Sequence, residues 1–218
     1  MAAATAKLGD RRDARRNRVQ VVAAARELFA SAGAEVPSRA IAHRAGVGVG
    51  TIYRHFPTRA DLVDAVLEEA FDELIEVAEA ALAEPDSWAG FARFVDEALV
   101  LHARNRALKD VLESEDRGRE RARAMRRRIR PLTDQLIARA QADGTLRQDF
   151  APQDLALLFW GSDRVIELAA DVAPELWRRQ LGFMLDGLRT RDPHPLEHPP
   201  LTEAQLRRAG PRRRRGSA

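Results

Sequence analysis

At 218 residues, with 45% hydrophobic and 32% charged residues, the chain has room for one large domain or a small domain joined to a medium one. No apolar run reaches the roughly 18 residues a membrane-spanning helix needs, Met1 to Asp10 lacks a signal-peptide core, and with no cysteine there is neither a disulfide framework nor a thiolate metal site; cytoplasmic residence is expected. The net charge of +3 hides a division, because residues 1–60 hold 11 Lys/Arg against 4 Asp/Glu whereas residues 61–116 hold 4 against 16, the pattern of a chain whose first block alone meets a polyanion.

Residues 1–10 show no periodicity and read as a flexible arm. Arg11, Arg12, Arg15, Arg16 and Arg18 then open a helix whose Val22, Ala25, Phe29 and Ala32 recur at spacings of three and four, with Gly33 at its C-cap. The arginines are either a solvated face or a phosphate-facing surface. Pro37 fits the first turn of a second helix, which turns Ile41, Ala42 and Ala45 inward and stops at Gly46. Val47 plugs the turn, Gly48 is placed as an N-cap, and Val49 to His55 form a third helix barely two turns long. A helix this short must be held by packing, and Ile52 and Phe56, four apart, are the anchors. Two short helices joined by a tight glycine turn after a longer one make a helix-turn-helix plan over residues 11–58. Val49, Gly50, Thr51, Tyr53, Arg54 and His55 are left for solvent or a ligand, and their hydroxyl, phenol, guanidinium and imidazole groups suit phosphate and base contacts. Gly50 costs about 1 kcal/mol against alanine inside a helix, which makes sense where backbone must approach something closely.

The run A-G-V-G-V-G-T-I-Y-R-H-F-P-T-R-A-D-L, together with R-R-N-R-V-Q-V-V-A-A-A-R-E-L-F-A-S-A-G before it, resembles the DNA-binding signature of the tetracycline-repressor (TetR) family of transcriptional regulators. The resemblance covers about the first 65 residues. It implies phosphate contacts at Thr51, Tyr53, His55 and Arg59, a base-reaching position at Arg39, and recognition-helix positions at Val49 and Gly50. Two departures stand out: Gly48 replaces the more usual serine or threonine N-cap, and Ser38-Arg39-Ala40 lacks a carboxylate.

Thr58 to Asp61 then resembles a capping box opening a fourth helix of some 36 Å. Its apolar stripe is Val63, Val66, Phe71, Leu74, Val77 and Ala81; Asp64, Glu68, Glu69, Asp72, Glu73, Glu76 and Glu79 form a solvated acidic face, and Pro85 ends it. Ser87 to Arg106 is helical through Trp88, Phe91, Phe94, Val95, Ala98 and Leu101, and Leu108, Val111 and Leu112 form a shorter apolar piece. Eight arginines in residues 117–130 are expected to pair with the acidic block, on a helix that Pro131 should kink or interrupt and that ends at Asp143-Gly144. Pro152 and Pro174 start the last two amphipathic helices. Leu155, Leu158, Phe159, Ile166 and Ala169 line the first and Trp177, Leu181, Met184 and Leu188 the second. Their glycines permit close packing against a symmetry mate, as the resemblance also implies, and the dimer residues expected are Leu158, Gly161, Trp177, Leu181, Met184 and Leu188. Residues 191–218 read as a disordered basic tail. His194 and His198 would make a metal pair only on a helix, which Pro193 and Pro195 oppose.

No nucleophile–base–acid set, H-E-x-x-H or P-loop is present, and strand patterning is almost absent, so neither an enzyme nor a metal or organic cofactor is expected. The reading is an all-α chain: a three-helix DNA-binding domain over 11–58, and a helical ligand-binding and dimerisation domain over 59–190. The resemblance implies a homodimer on a pseudo-palindromic double-stranded operator, released by a small-molecule effector; with no long apolar run, no membrane partner is expected. The effector's contacts are sought among Phe94, Leu101, His102, Leu112, Met125 and Phe159. The alternatives are a regulator controlled by a protein partner, or a helical enzyme or scaffold with a vestigial helix-turn-helix.

Overall fold

The computed structural model describes residues 2–32, 35–104, 116–189 and 194–209. They are all-helical, with no strand among the described residues: α1 (Ala2–Ala32), α2 (Ser38–Ala45), α3 (Val49–His55), α4 (Arg59–Ala83), α5 (Ser87–Arg104), α6 (Asp116–Ala142), α7 (Asp154–Ala169), α8 (Leu176–Leu188) and α9 (Glu203–Ala209). No described helix is long and apolar enough to cross a membrane. The chain divides into two compact units, Met1–Glu76 with Leu101–Arg128, and Val77–Val100 with Ile129–Ala218.

In the first unit, Val21, Val22, Ala25 and Phe29 of α1 pack with Ile41, Ala42, Ile52 and Phe56 and with Leu62, Val63, Val66 and Leu67 of α4 in one core. The expected boundary after residue 58 therefore does not separate two compact bodies. The first turns of α4 bury too much apolar surface with α1–α3 to belong elsewhere, and the division falls inside that helix, after Glu76. The arm expected at residues 1–10 is helix from Ala2 onward, because its alanines and Leu8 are strong helix formers that extend α1 backwards. The expected cap at Gly33 lies outside the described residues.

The second unit is built on Trp88, Phe91, Phe94, Val95, Ala98 and Leu99 of α5, which lie buried with Leu136, Ile137, Ala140, Leu146, Phe150, Leu155, Leu158, Trp177 and Leu181. Phe91 meets Phe150 edge-on, with ring centroids 5.7 Å apart. Gly90 is a close approach, because a Cβ there would stand 2.4 Å from the carbonyl oxygen of Ala81. The C-terminal carbonyls of α4 would be orphaned; Arg139 of α6 donates to Leu82 O and, at 2.9 Å, to Glu84 O. Pro131 does not interrupt α6, which runs through it from Asp116 to Ala142.

Three further boundaries differ from expectation. Pro152 and Pro174 precede their helices instead of starting them, since α7 begins at Asp154 and α8 at Leu176. Residues 191–218 are not uniformly disordered, because α9 forms inside them. Thr202 N–H donates to Gln205 Oε1 at 2.9 Å and Gln205 N–H to Thr202 Oγ1 at 3.2 Å, a reciprocal capping box. The segment before α9 is also held, with Arg147 donating to the His194 carbonyl at 2.9 Å. The final basic run, Arg212 to Arg215, lies outside the described residues.

Candidate nucleic-acid interface

The α2–α3 element is fixed by its ends. Gly46 adopts φ 67°, a left-handed conformation that only glycine reaches without strain. Gly46 N–H donates to His43 O at 3.2 Å and Val47 N–H to Ala42 O at 3.0 Å, the paired bonds of a Schellman turn. At the other end of α2, Pro37 is the extended N-cap, at ψ 139°, one residue before the first-turn position expected of it. Gly48 caps α3 with no side-chain bond, although Thr51 N–H finds the Gly48 carbonyl at 2.9 Å. A helix of 7 residues is held instead by Ile52 and Phe56, 2% and 3% exposed.

Burying those two side chains turns the rest of α3 outward. Tyr53 is 53% exposed and Val49 40%, Gly50 and Arg54 are exposed, and Thr51 and His55 are half-buried. Arg39 is exposed on α2. The Tyr53 hydroxyl lies 3.5 Å from Ser38 Oγ, placing a phenol beside the start of α2. A Cβ on Gly50 would meet nothing within 4 Å, so packing inside the chain gives no reason for glycine there.

The capping box at the start of α4 forms as the spacing requires. Thr58 N–H donates to Asp61 Oδ2 at 2.9 Å and Asp61 N–H to Thr58 Oγ1 at 3.1 Å. Arg59, however, is half-buried and turned toward the protein. Its Nη1 donates to the Val36 carbonyl at 2.6 Å, and its guanidinium carbon lies 5.5 Å from the centroid of the Phe29 ring. Arg18 stands likewise over Phe56, at 5.0 Å. Facing arginine–aromatic pairs carry no signature in a linear sequence, which is why these contacts were not legible there.

Arg26 of α1 makes a two-pronged pair with Glu73 of α4, one prong at 2.6 Å, and that hydrogen bond is the main cause that raises the arginine pKa. The expected pairing of the arginine-rich stretch with the acidic block is met at Arg128 and Asp72, 2.8 Å apart. An open groove of about 470 Å³ runs between α1 and α4, lined by Val19, Val22 and Ala65 and rimmed by Glu68, Glu69, Asp72, Glu73 and Glu76. None of the residues sought for an effector lines it. Phe94 is buried in the core of the second unit, Phe159 is half-buried there, Leu101, His102 and Met125 are half-buried, and Leu112 lies outside the described residues.

The residues expected at a dimer surface divide. Leu158, Trp177 and Leu181 are 6%, 3% and 3% exposed, buried within their own chain, and Gly161 packs against Gln180 and Met184 of the neighbouring helix. Met184 and Leu188 are half-buried. The apolar side chains that α7, α8 and their connection show to solvent are instead Leu157, Leu168, Val172, Leu176 and Phe183. Amphipathic spacing marks which face is apolar without telling which partner covers it.

A buried three-helix core that projects one short polar helix defines a helix-turn-helix DNA-binding regulator. Residues 21–66 match the model of bacterial regulatory proteins of the tetR family, and residues 85–190 that of the SbtR-like transcriptional regulator C-terminal domain. A TetR transcription regulatory protein from Mycobacterium vanbaalenii is similar in structure with TM-score 0.63 and 32% identity, over 83% of this chain and 99% of that one. A TetR transcriptional regulator from Streptomyces coelicolor has TM-score 0.60 and 26% identity, over 80% and 99%. An HTH-type transcriptional regulator of Staphylococcus aureus is 38% identical over 66 residues, 30% of this chain, so the match spans only 36% of that curated relative. The chain belongs to the TetR family of transcriptional regulators. Its fold and family are those of DNA-binding regulators and not of enzymes.

Proposed function

We propose that the protein is a homodimeric, sequence-specific regulator that seats α3 in the major groove of a pseudo-palindromic operator and represses until a small-molecule effector releases it. The observation that carries the DNA reading is the division of α3, with Ile52 and the adjoining Phe56 buried while Tyr53, Arg54 and Val49 stand exposed. Thr51, Tyr53, Arg54 and His55 supply phosphate contacts in this reading, and Arg39, Val49 and Gly50 face base edges. The empty space around Gly50 supports it, because the residue's lack of a side chain is then used by DNA and not by the chain.

Dimerisation would use the exposed face of Leu157, Leu168, Val172, Leu176 and Phe183 in place of Leu158, Trp177 and Leu181, which are buried within one chain. Two-fold symmetry then demands two half-sites about one helical turn, or a multiple of it, apart. Effector control rests on the family resemblance and places the effector in the helical region beyond the reading head. The test is gel-shift binding to the intergenic DNA beside the protein's own gene, against random duplex at physiological salt. A clear preference for the intergenic DNA is expected, and equal binding to both sinks the reading. Melting the protein against a metabolite library checks effector control, since a ligand at 100 times its Kd stabilises the folded state by about 2.7 kcal/mol.

A further inference from the structure

We propose that Arg59 is a positioning residue, whose guanidinium ties the start of α4 to α1 and to the segment entering α2 instead of neutralising a DNA phosphate. The inference rests on the DNA-binding reading and reassigns the role of a single side chain within it. Three observations converge on that side chain. Its Nη1 donates to the Val36 carbonyl at 2.6 Å, and Val36 is 7% exposed. That carbonyl precedes Pro37, the N-cap of α2, and so lies outside the helix ladder, where the Arg59 side chain supplies its donor. The same guanidinium lies over Phe29, fully buried in α1, at 5.5 Å.

The consequence follows from chain connectivity. Only Phe56, Pro57 and Thr58 separate the end of α3 at His55 from Arg59, and Phe56 is buried. The clamp thus fixes one end of this short link, and the Ile52–Phe56 packing fixes the other. The angle at which α3 is presented is set between them. A lysine would keep the positive charge, but it lacks the planar fork that serves a carbonyl and a ring face together. Charge and clamp can therefore be separated by substitution.

The experiment measures binding of wild type, Arg59→Lys and Arg59→Gln to a duplex that the wild-type protein selects from a random pool, and to random duplex, across a salt series. Helical circular dichroism identifies the temperature range in which each protein is folded. The expected result is that both variants lose affinity for the selected duplex by about tenfold. Binding to random duplex should stay within about twofold, and the slope of log K against log salt should be unchanged. The proposal is overturned if Arg59→Lys binds like wild type while Arg59→Gln lowers the slope by about one, the signature of a lost phosphate contact. Should a variant not fold, the wild-type Arg59 guanidinium N–H signals decide. They should be resolved in the free protein and little moved by the selected duplex, and a large shift on adding DNA counts against the clamp. Failure of wild type to select any duplex would refute the DNA reading itself, a separate outcome.

Discussion

Helices α3 and α8 are held by the same device and turn opposite surfaces to solvent. Each is amphipathic and anchored by two large buried side chains, Ile52 with the adjoining Phe56 in one case and Trp177 with Leu181 in the other. Beyond those anchors α3 shows a phenol, a guanidinium and half-buried hydroxyl and imidazole groups, whereas α8 shows Phe183 at 64% exposure beside Leu176 at 44%. Hydrogen-bonding groups on a rigid short helix match phosphates and base edges. A row of large apolar groups matches another protein surface. On the proposed reading, the chemistry of the outer face separates the element that would read DNA from the element that would assemble the dimer.

The largest effects should come from the anchors. Phe56→Ala removes the side chain that fastens the end of α3, and about 3–5 kcal/mol of stability should go with it in chemical denaturation. DNA binding should be lost at temperatures where the remaining helices persist. Leu181→Ala should cost about 2–5 kcal/mol at every protein concentration, because Leu181 is buried within one chain. Phe183→Ser, by contrast, should raise the dimer dissociation constant in sedimentation experiments while barely altering the stability of the monomer. If Phe183→Ser leaves self-association untouched and Leu181→Ala abolishes it, the two faces of α8 have been exchanged.

Next come the outward residues of the reading head. Arg39→Ala should relax preference at one base position by about 1–3 kcal/mol, read by competition with duplexes altered there. An equal loss on random DNA would assign Arg39 to phosphate. The smallest effect concerns Asp149, whose carboxylate is held below the usual aspartate range, chiefly by its hydrogen bonds from Arg147. A lowered folded pKa contributes stability above the unfolded value and loses it as pH falls through the folded one. Asp149→Asn should therefore cost at most about 1 kcal/mol at neutral pH, since the pair is partly exposed. Denaturation should show wild type and variant converging in strong acid.

What was legible in the residues is what local chemistry encodes. Gly46 marked the end of a helix, Thr58 and Asp61 the start of another, and Ile52 and Phe56 were four apart beside a run too polar to bury. Those constraints act within a few residues, so the bounds of α3 and the end of α2 came out as read, while α2 starts at Ser38 with Pro37 outside its first turn. The same rule would have found α9, because Thr202-Glu203-Ala204-Gln205 is a capping-box pattern hidden by the prolines before it. Other features needed the third dimension. Nothing local tells that Leu158 is covered by its own chain while Leu157 is exposed, that Arg139 closes the end of α4, or that Arg59 turns toward Val36 and Phe29. The early turns of α4 read as the start of a second domain because a continuous helix gives no sign of where its packing partners change.

The central claim is that the exposed face of α3 reads DNA sequence. The most direct test is selection of duplexes from a random-sequence pool by the wild-type protein at about 0.15 M salt, followed by measured affinities. The account predicts enrichment of one two-half-site sequence, bound at least about 10³-fold more tightly than random duplex. Recovery of a pool no different from the input, with equal affinity for all duplexes, would contradict it.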